Sequence, residues 1–249
     1  MDKISDKVSR RGVMSAGVPA YFPDLAFAFK LFHSEVLVLA DDLPFRVQSA
    51  VHRGRIKSAE GLQWLTVPVL QRGREGQLIR DVRIAGDHDW RRRHWKALSV
   101  NYRPSPFFEY YADFFEELYR REWIWLMDLN LALLEYLMKA LGIRRRILRS
   151  SQMGLPVGSV SERLLAMLDV CGCGAYLSED LHQKSLDEHL FVAQIRELLY
   201  IHYQPLPYPQ LFGDFEGGVS VFDLIFQRGP ESRHQFRLPL PVVRRVGGG

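Results

Sequence analysis

The chain has 249 residues, 47% hydrophobic and 25% charged, with 33 Lys and Arg against 29 Asp and Glu. That length can bury one large core, and the balance is that of a globular domain, not a disordered or fibrous chain. No apolar run nears the ~20 residues of a membrane span, and the mild +4 excess has no nucleic-acid motif beside it, which argues against a nucleic-acid partner.

Residues 1–17 are polar and basic, lack the apolar centre of a secretory signal, and read as a loose, disordered N-terminal arm. After Pro23, Phe27–His33 fits a short helix. Val36–Ala40 (VLVLA) is a continuous apolar run, the pattern of a central strand buried on both faces. Trp64–Val69 is a second strand, with Pro68 suited to an end or edge, and Ile79–Ile84 a third. Asp89 can cap a helix carrying Trp90, His94, Trp95 and Leu98. Ser105-Pro106 opens another, with Phe107, Phe108, Tyr111, Phe114, Phe115 and Leu118 at the helical period. Trp123, Leu126, Asn130, Leu133, Leu134 and Leu137 mark a third, stopped by Gly142. Aromatics at this spacing read as core, not as a stacking platform.

Beyond Gly142 strands and helices alternate again. Arg146–Ser150 reads as a strand, Ser161 starts a helix that ends near Gly172, and Ala175–Ser178 and Leu198–Tyr203 are strands. A last helix over Val221–Phe226 follows a Ser220/Asp223 capping pattern and stops at Gly229-Pro230. The expected fold is α/β: a mainly parallel, Rossmann-like sheet with a helical subdomain. One domain spans 18–240, its helical insertion lies at about 88–142, and 241–249 is a flexible tail.

Cys171 and Cys173 have no second CxxC or HxxxH pair to complete a metal site, so they read as buried neutral thiols in a reducing cytoplasm. No GxSxG, Walker A or HExxH motif occurs, and the glycines of Cys171–Ala175 follow a helix and precede a strand, the reverse of a dinucleotide loop. No metal or cofactor is therefore expected. Arg91–Arg93 and Arg144–Arg146 with Arg149 concentrate the positive charge. They suit solvated helix faces and helix ends, or an anion such as a nucleotide sugar or phosphopantetheine. Asp41 and Asp42 follow the strand Val36–Ala40 directly, where open α/β sheets bind ligands. The pair suits Mg²⁺, a ribose hydroxyl or a substrate amine, and equally a turn. Arg53, Arg55 and Lys57 alternate along one extended segment, so all three can face one anion or form a solvated basic edge.

The run Asp41–Val69 (DDLPFRVQSAVHRGRIKSAEGLQWLTVPV) resembles the pattern of the WbqC-like protein family. The likeness continues through WRRRHWKALSVNY, SPFFEYY, REW, DLN, LGI, SSQMG, SERLL, GAYLS, PYPQLFG and FDLIFQRGPES, so it covers about residues 18–232. It implies a biosynthetic transferase that adds an acyl or aminoacyl group to an amino sugar or related amine in O-antigen, polysaccharide or natural-product assembly. A non-catalytic partner binding a carrier protein or an enzyme, and nucleotide activation, are the other readings. On the leading one, Asp41, Asp42 and Tyr21 are catalytic, and Arg53, Arg55, Lys57, Tyr176 and Ser178 bind a small-molecule substrate: a nucleotide sugar, an amine or a carrier-bound acyl group.

Two departures from the family pattern stand out. A His-Gln-Pro usually precedes the Tyr-x-Pro; here Val18-Pro19-Ala20 precedes Tyr21-Phe22-Pro23. The usual glycine turn after Tyr-Leu-Ser is replaced by Glu179-Asp180-Leu181-His182-Gln183. Both fall at predicted strand ends, so they are expected to line one mouth, where Glu179 and Asp180 would repel a phosphate and favour an amine.

Overall fold

The computed structural model describes residues 12–86, 89–237 and 240–247. A six-stranded sheet runs in the order β5-β2-β1-β6-β7-β8. Its strands are β1 (Val13–Gly17), β2 (Val36–Leu39), β5 (Arg146–Arg149), β6 (Ala175–Glu179), β7 (Glu197–Ile201) and β8 (Val242–Val246). The first five are parallel and β8 is antiparallel. A separate antiparallel hairpin joins β3 (Arg53–Ser58) to β4 (Gly61–Thr66). The helices are α1 (Leu25–His33), α2 (Asp89–Tyr102), α3 (Phe108–Arg120), α4 (Leu126–Leu141), α5 (Val160–Cys171), α6 (Glu188–Ala193) and α7 (Val221–Arg228).

Strand periodicity splits the core in two. Leu37 and Leu39 of β2 join a large cluster with α1 to α4 and α7, while Val36 and Val38 join a smaller one with α5. All four are therefore buried, as their apolar run requires. Leu177 and Tyr176 of β6 divide the same way, as do Leu199 and Leu198 of β7. The helices α2 to α4 share the large cluster with the sheet and have no core of their own.

The connections set where the sheet opens. From β1 the chain steps outward through α1 to β2, then through the hairpin and α2 to α4 to β5. Next α5 carries it back past β1 to β6, and α6 leads on to β7. The winding thus reverses between β1 and β6, which opens a crevice at the carboxyl ends of those two strands.

Several expectations need correction. Residues 13–17 are no loose arm: β1 pairs with β2 and β6 at the heart of the sheet, and residues 1–11 lie outside the described residues. Val13–Gly17 (VMSAG) is rich in small residues with little strand preference, so tertiary pairing decides its state. The tail is not flexible at Val242–Val246, which pairs with β7 as an edge strand carrying exposed Arg244 and Arg245. Ile79–Ile84 is not a strand. A 3-10 turn fills Ile79–Asp81, with its amides tied to the carbonyls of Leu43 and Asp41. The strand read at Trp64–Val69 is Gly61–Thr66. Ser105 does not cap α3, which begins at Phe108; the Ser105 hydroxyl accepts from Gln227 instead. Ser159, two residues before the predicted start, caps α5 in a reciprocal box with Glu162.

Candidate functional site

The crevice holds a cavity of about 790 Å³. Ala16, Gly17 and Val18 from the end of β1, Ala40 past β2, and Tyr176, Ser178 and Glu179 of β6 form its floor. The first turns of α1, α5 and α7 reach its rim through Asp24, Val160 and Ser220, so three helix N-termini face it. The β3–β4 hairpin closes one side with Arg53, Gly54, Arg55 and Trp64. Gly54 is what lets the hairpin approach: a Cβ there would lie 2.7 Å from the Tyr21 carbonyl oxygen and press on Phe22.

Four cations line this cavity: Lys30, Arg53, Arg55 and Arg163. Two are neutralised. Lys30 bonds Glu179 at 2.7 Å, and Arg163 bonds Asp42 at 2.6 Å. The remaining lining carboxylate, Asp24, caps α1 by accepting the Phe27 amide. Arg53 and Arg55 therefore keep their charge: among the described residues neither has a carboxylate partner. Their guanidinium carbons lie 4.1 and 5.2 Å from the centre of the Trp64 ring, which is 48% exposed. Gly218 fits against the Arg55 guanidinium, where a Cβ would come within 3.0 Å of it. The chemistry on offer is two fork-shaped donors beside an aromatic face, suited to a phosphate or carboxylate.

The other residues singled out from sequence divide sharply. Tyr176 and Ser178 line the cavity with Arg53 and Arg55. Lys57 does not. The segment that follows β7 folds over its end of β3, and its buried ammonium donates to Gln210 Oε1 at 3.1 Å and to the Asp214 carbonyl. Asp41 is fully buried, accepting from Arg149 Nε at 2.7 Å, Ser151 N–H at 2.9 Å and the Ser151 hydroxyl at 2.8 Å. Burial pushes its pKa up, but these donors outweigh it and hold the carboxyl below the usual range. Asp42 is lowered likewise, against its own burial, by the Ser150 hydroxyl at 2.5 Å and by Arg163. The pair thus clamps the ends of β2 and β5 to α5, and neither carboxylate lines the cavity. Tyr21 is also fully buried; its hydroxyl bonds His94 Nδ1 at 2.8 Å and the Tyr119 hydroxyl at 2.6 Å. Of the basic clusters, Arg149 serves Asp41, Arg145 and Arg146 bond the carbonyls of Phe32 and Cys171, and Arg91 bonds those of Arg120 and Arg121.

The model of the WbqC-like protein family matches residues 19–235. The chain belongs to the WbqC-like family. It is 33% identical over 219 residues to a protein of Mycobacterium tuberculosis (strain ATCC 25618 / H37Rv) named Uncharacterized protein Rv1507c, covering 87% of this chain and 91% of that one. No solved structure matches it.

The two segments expected from sequence to depart from the family pattern both reach the cavity: Val18 and Ala20 line it, and so do Glu179 and His182. Asp180 does not; it bonds His202 at 2.8 Å. Glu179 already holds Lys30, so the repulsion expected of the two carboxylates is cancelled at one and directed elsewhere at the other. Trp64, Lys30 and Arg163 were not legible as site residues. Trp64 faces Arg55 across the hairpin, a signal that reading Arg53–Ser58 as a strand would have supplied. Among the described residues no cluster of His, Cys, Asp or Glu is placed to hold a metal, and no helix is long and apolar enough to cross a membrane.

Proposed function

We propose that this WbqC-like protein is a cytoplasmic transferase that moves an acyl or aminoacyl group from a phosphate-bearing donor to an amine, such as that of an amino sugar, in surface-polysaccharide or natural-product assembly. The observation that carries the reading is the unpaired Arg53 and Arg55 over Trp64 at the crevice between β1 and β6. On this reading the two arginines hold the donor's phosphate, and Tyr176 and Ser178 face the group to be moved. Asp41 and Asp42 act at one remove: Asp42 positions Arg163 at the wall. His182 lines the cavity and, among the described residues, has no carboxylate partner, so it would serve as the base.

Calorimetry with phosphate-bearing and phosphate-free donors tests this. Arg55→Ala should weaken only the phosphate-bearing ones, by about 1.5–3 kcal/mol. Equal binding of both kinds to wild type and variant would refute it. A second reading, a non-catalytic partner that binds the same ligand, draws support from the lining carboxylates, which are both engaged. Turnover lost in His182→Ala with binding kept would decide for the enzyme; binding with no turnover of any donor–acceptor pair would decide for the partner.

A further inference from the structure

The cavity has two unlike ends. Arg53, Arg55 and Trp64 stand on the hairpin and share the lining with Phe22, of the large core cluster, and Phe27, which packs against it. On the other face of the sheet the lining is apolar: Leu164, Met167 and Leu186 belong to or pack on the small cluster, and Val160 continues it outward. A ligand bound to the arginines and long enough to cross the cavity would lie over that mostly apolar wall. Hydroxyl-rich groups fit such a wall poorly, since each hydroxyl would lose water without finding a partner.

Arg163, His182, Ser185 and Tyr176 interrupt that wall. Tyr176 is only 8% exposed, stacks on Phe191, and its hydroxyl makes no hydrogen bond within the protein among the described residues. The neighbouring polar side chains are occupied: Ser178 donates to the Glu179 carbonyl and Ser185 to the His182 carbonyl. The Tyr176 hydroxyl opens onto the cavity, where water or a ligand pairs with it. It offers a donor beside a mostly apolar surface that also carries Arg163 and His182, at the opposite face from two guanidinium groups.

We propose, building on the transferase reading, that the occupant is a phosphate ester of an extended, mostly apolar chain bearing a carbonyl: its phosphate on Arg53 and Arg55, its chain along Val160, Leu164 and Met167, and its carbonyl accepting from the Tyr176 hydroxyl. An alkyl lipid phosphate and the pantetheine-type arm of an acyl carrier share the phosphate and an extended shape; only the second supplies carbonyls, and its two amide N–H groups and hydroxyl must stay paired with water or with the polar part of the lining.

Titration calorimetry with methyl phosphate, hexyl phosphate, glucose 1-phosphate and 4′-phosphopantetheine tests this. Hexyl phosphate and 4′-phosphopantetheine should bind at least about tenfold tighter than methyl phosphate, because each buried methylene adds to affinity. Glucose 1-phosphate should gain nothing over methyl phosphate. Tyr176→Phe should weaken 4′-phosphopantetheine about fivefold to tenfold and leave hexyl phosphate unchanged, as loss of one hydrogen bond predicts. Val160→Asn alters a residue 57% exposed, so the fold survives it, and it should weaken both long ligands but not methyl phosphate. Equal affinity for all four probes, or tightest binding of glucose 1-phosphate, would overturn the chain proposal while leaving the anion site intact. Indifference of 4′-phosphopantetheine to Tyr176→Phe would remove the carbonyl contact and point to the lipid phosphate. Failure of every probe to bind, or binding unchanged in Arg55→Ala, would instead overturn the transferase reading beneath it.

Discussion

Arg53 and Arg55 differ from the other cations of the cavity only in what they touch: an indole and a glycine in place of a carboxylate. Their alternation along an extended segment was legible in the sequence; that Lys57, next in the same alternation, is sealed under a later segment was not, because its partners lie more than 150 residues on. The partners of Asp41 were hidden for the same reason, since its donors come from Arg149 and Ser151. Asp41→Asn should destabilise the fold by about 1–3 kcal/mol, through weakened charge-assisted bonds to a buried carboxylate. It should leave phosphate binding intact, as urea unfolding and calorimetry together would register. His94 offers a pH test. Burial first, and then Arg93, lower its pKa from 6.5 to about 4. The unfolded chain therefore binds a proton that the folded one refuses between those values, and stability should fall as pH drops through that window, by roughly 3 kcal/mol in all. Denaturant titrations from pH 7 to pH 4 would reveal it as a slope that His94→Gln flattens; an unchanged slope in that variant would assign the loss to other groups.

At the scale of elements, helices declared themselves and small strands did not. The helix α3 buries Phe108, Tyr111, Phe115 and Leu118, the spacing read from sequence, because an amphipathic face needs only local order to be visible. The strand β1 needs two neighbours to be a strand at all, so its Val-Met-Ser-Ala-Gly carries no comparable signal. The hairpin is the element on which the site depends, and Gly54 is its point of contact. Gly54→Ala would force its new methyl against Phe22 and the Tyr21 carbonyl. Overpacking of this kind typically costs about 1–3 kcal/mol. Thermal melts should fall, and phosphate affinity should fall with them because Arg53 and Arg55 flank the displaced residue. A melt unchanged from wild type would mean that the hairpin does not dock as described. On α5, loss of the Ser159 hydroxyl in Ser159→Ala should cost about 1 kcal/mol, read by urea unfolding.

For the whole molecule, the α/β alternation was readable from the sequence and so was the buried β2, but the strand order was not: it depends on pairings between residues far apart in the chain, such as Met14 with Val36 and with Tyr176. That order is what puts the reversal between β1 and β6 and so gathers Gly17, Ser178 and the hairpin around one cavity. It also leaves the Arg144–Arg146 cluster at the amino end of β5, the opposite end of the sheet. The two basic regions can therefore be told apart by one measurement, amide and indole chemical-shift mapping of the full chain during titration with a phosphate ester. The shifts should gather at Gly17, Val18, Ser178, Gly218 and the Trp64 indole, and vanish when Arg53 and Arg55 are both changed to Ala. Shifts gathered at Arg144–Arg146 instead, and persisting in that double variant, would contradict the account.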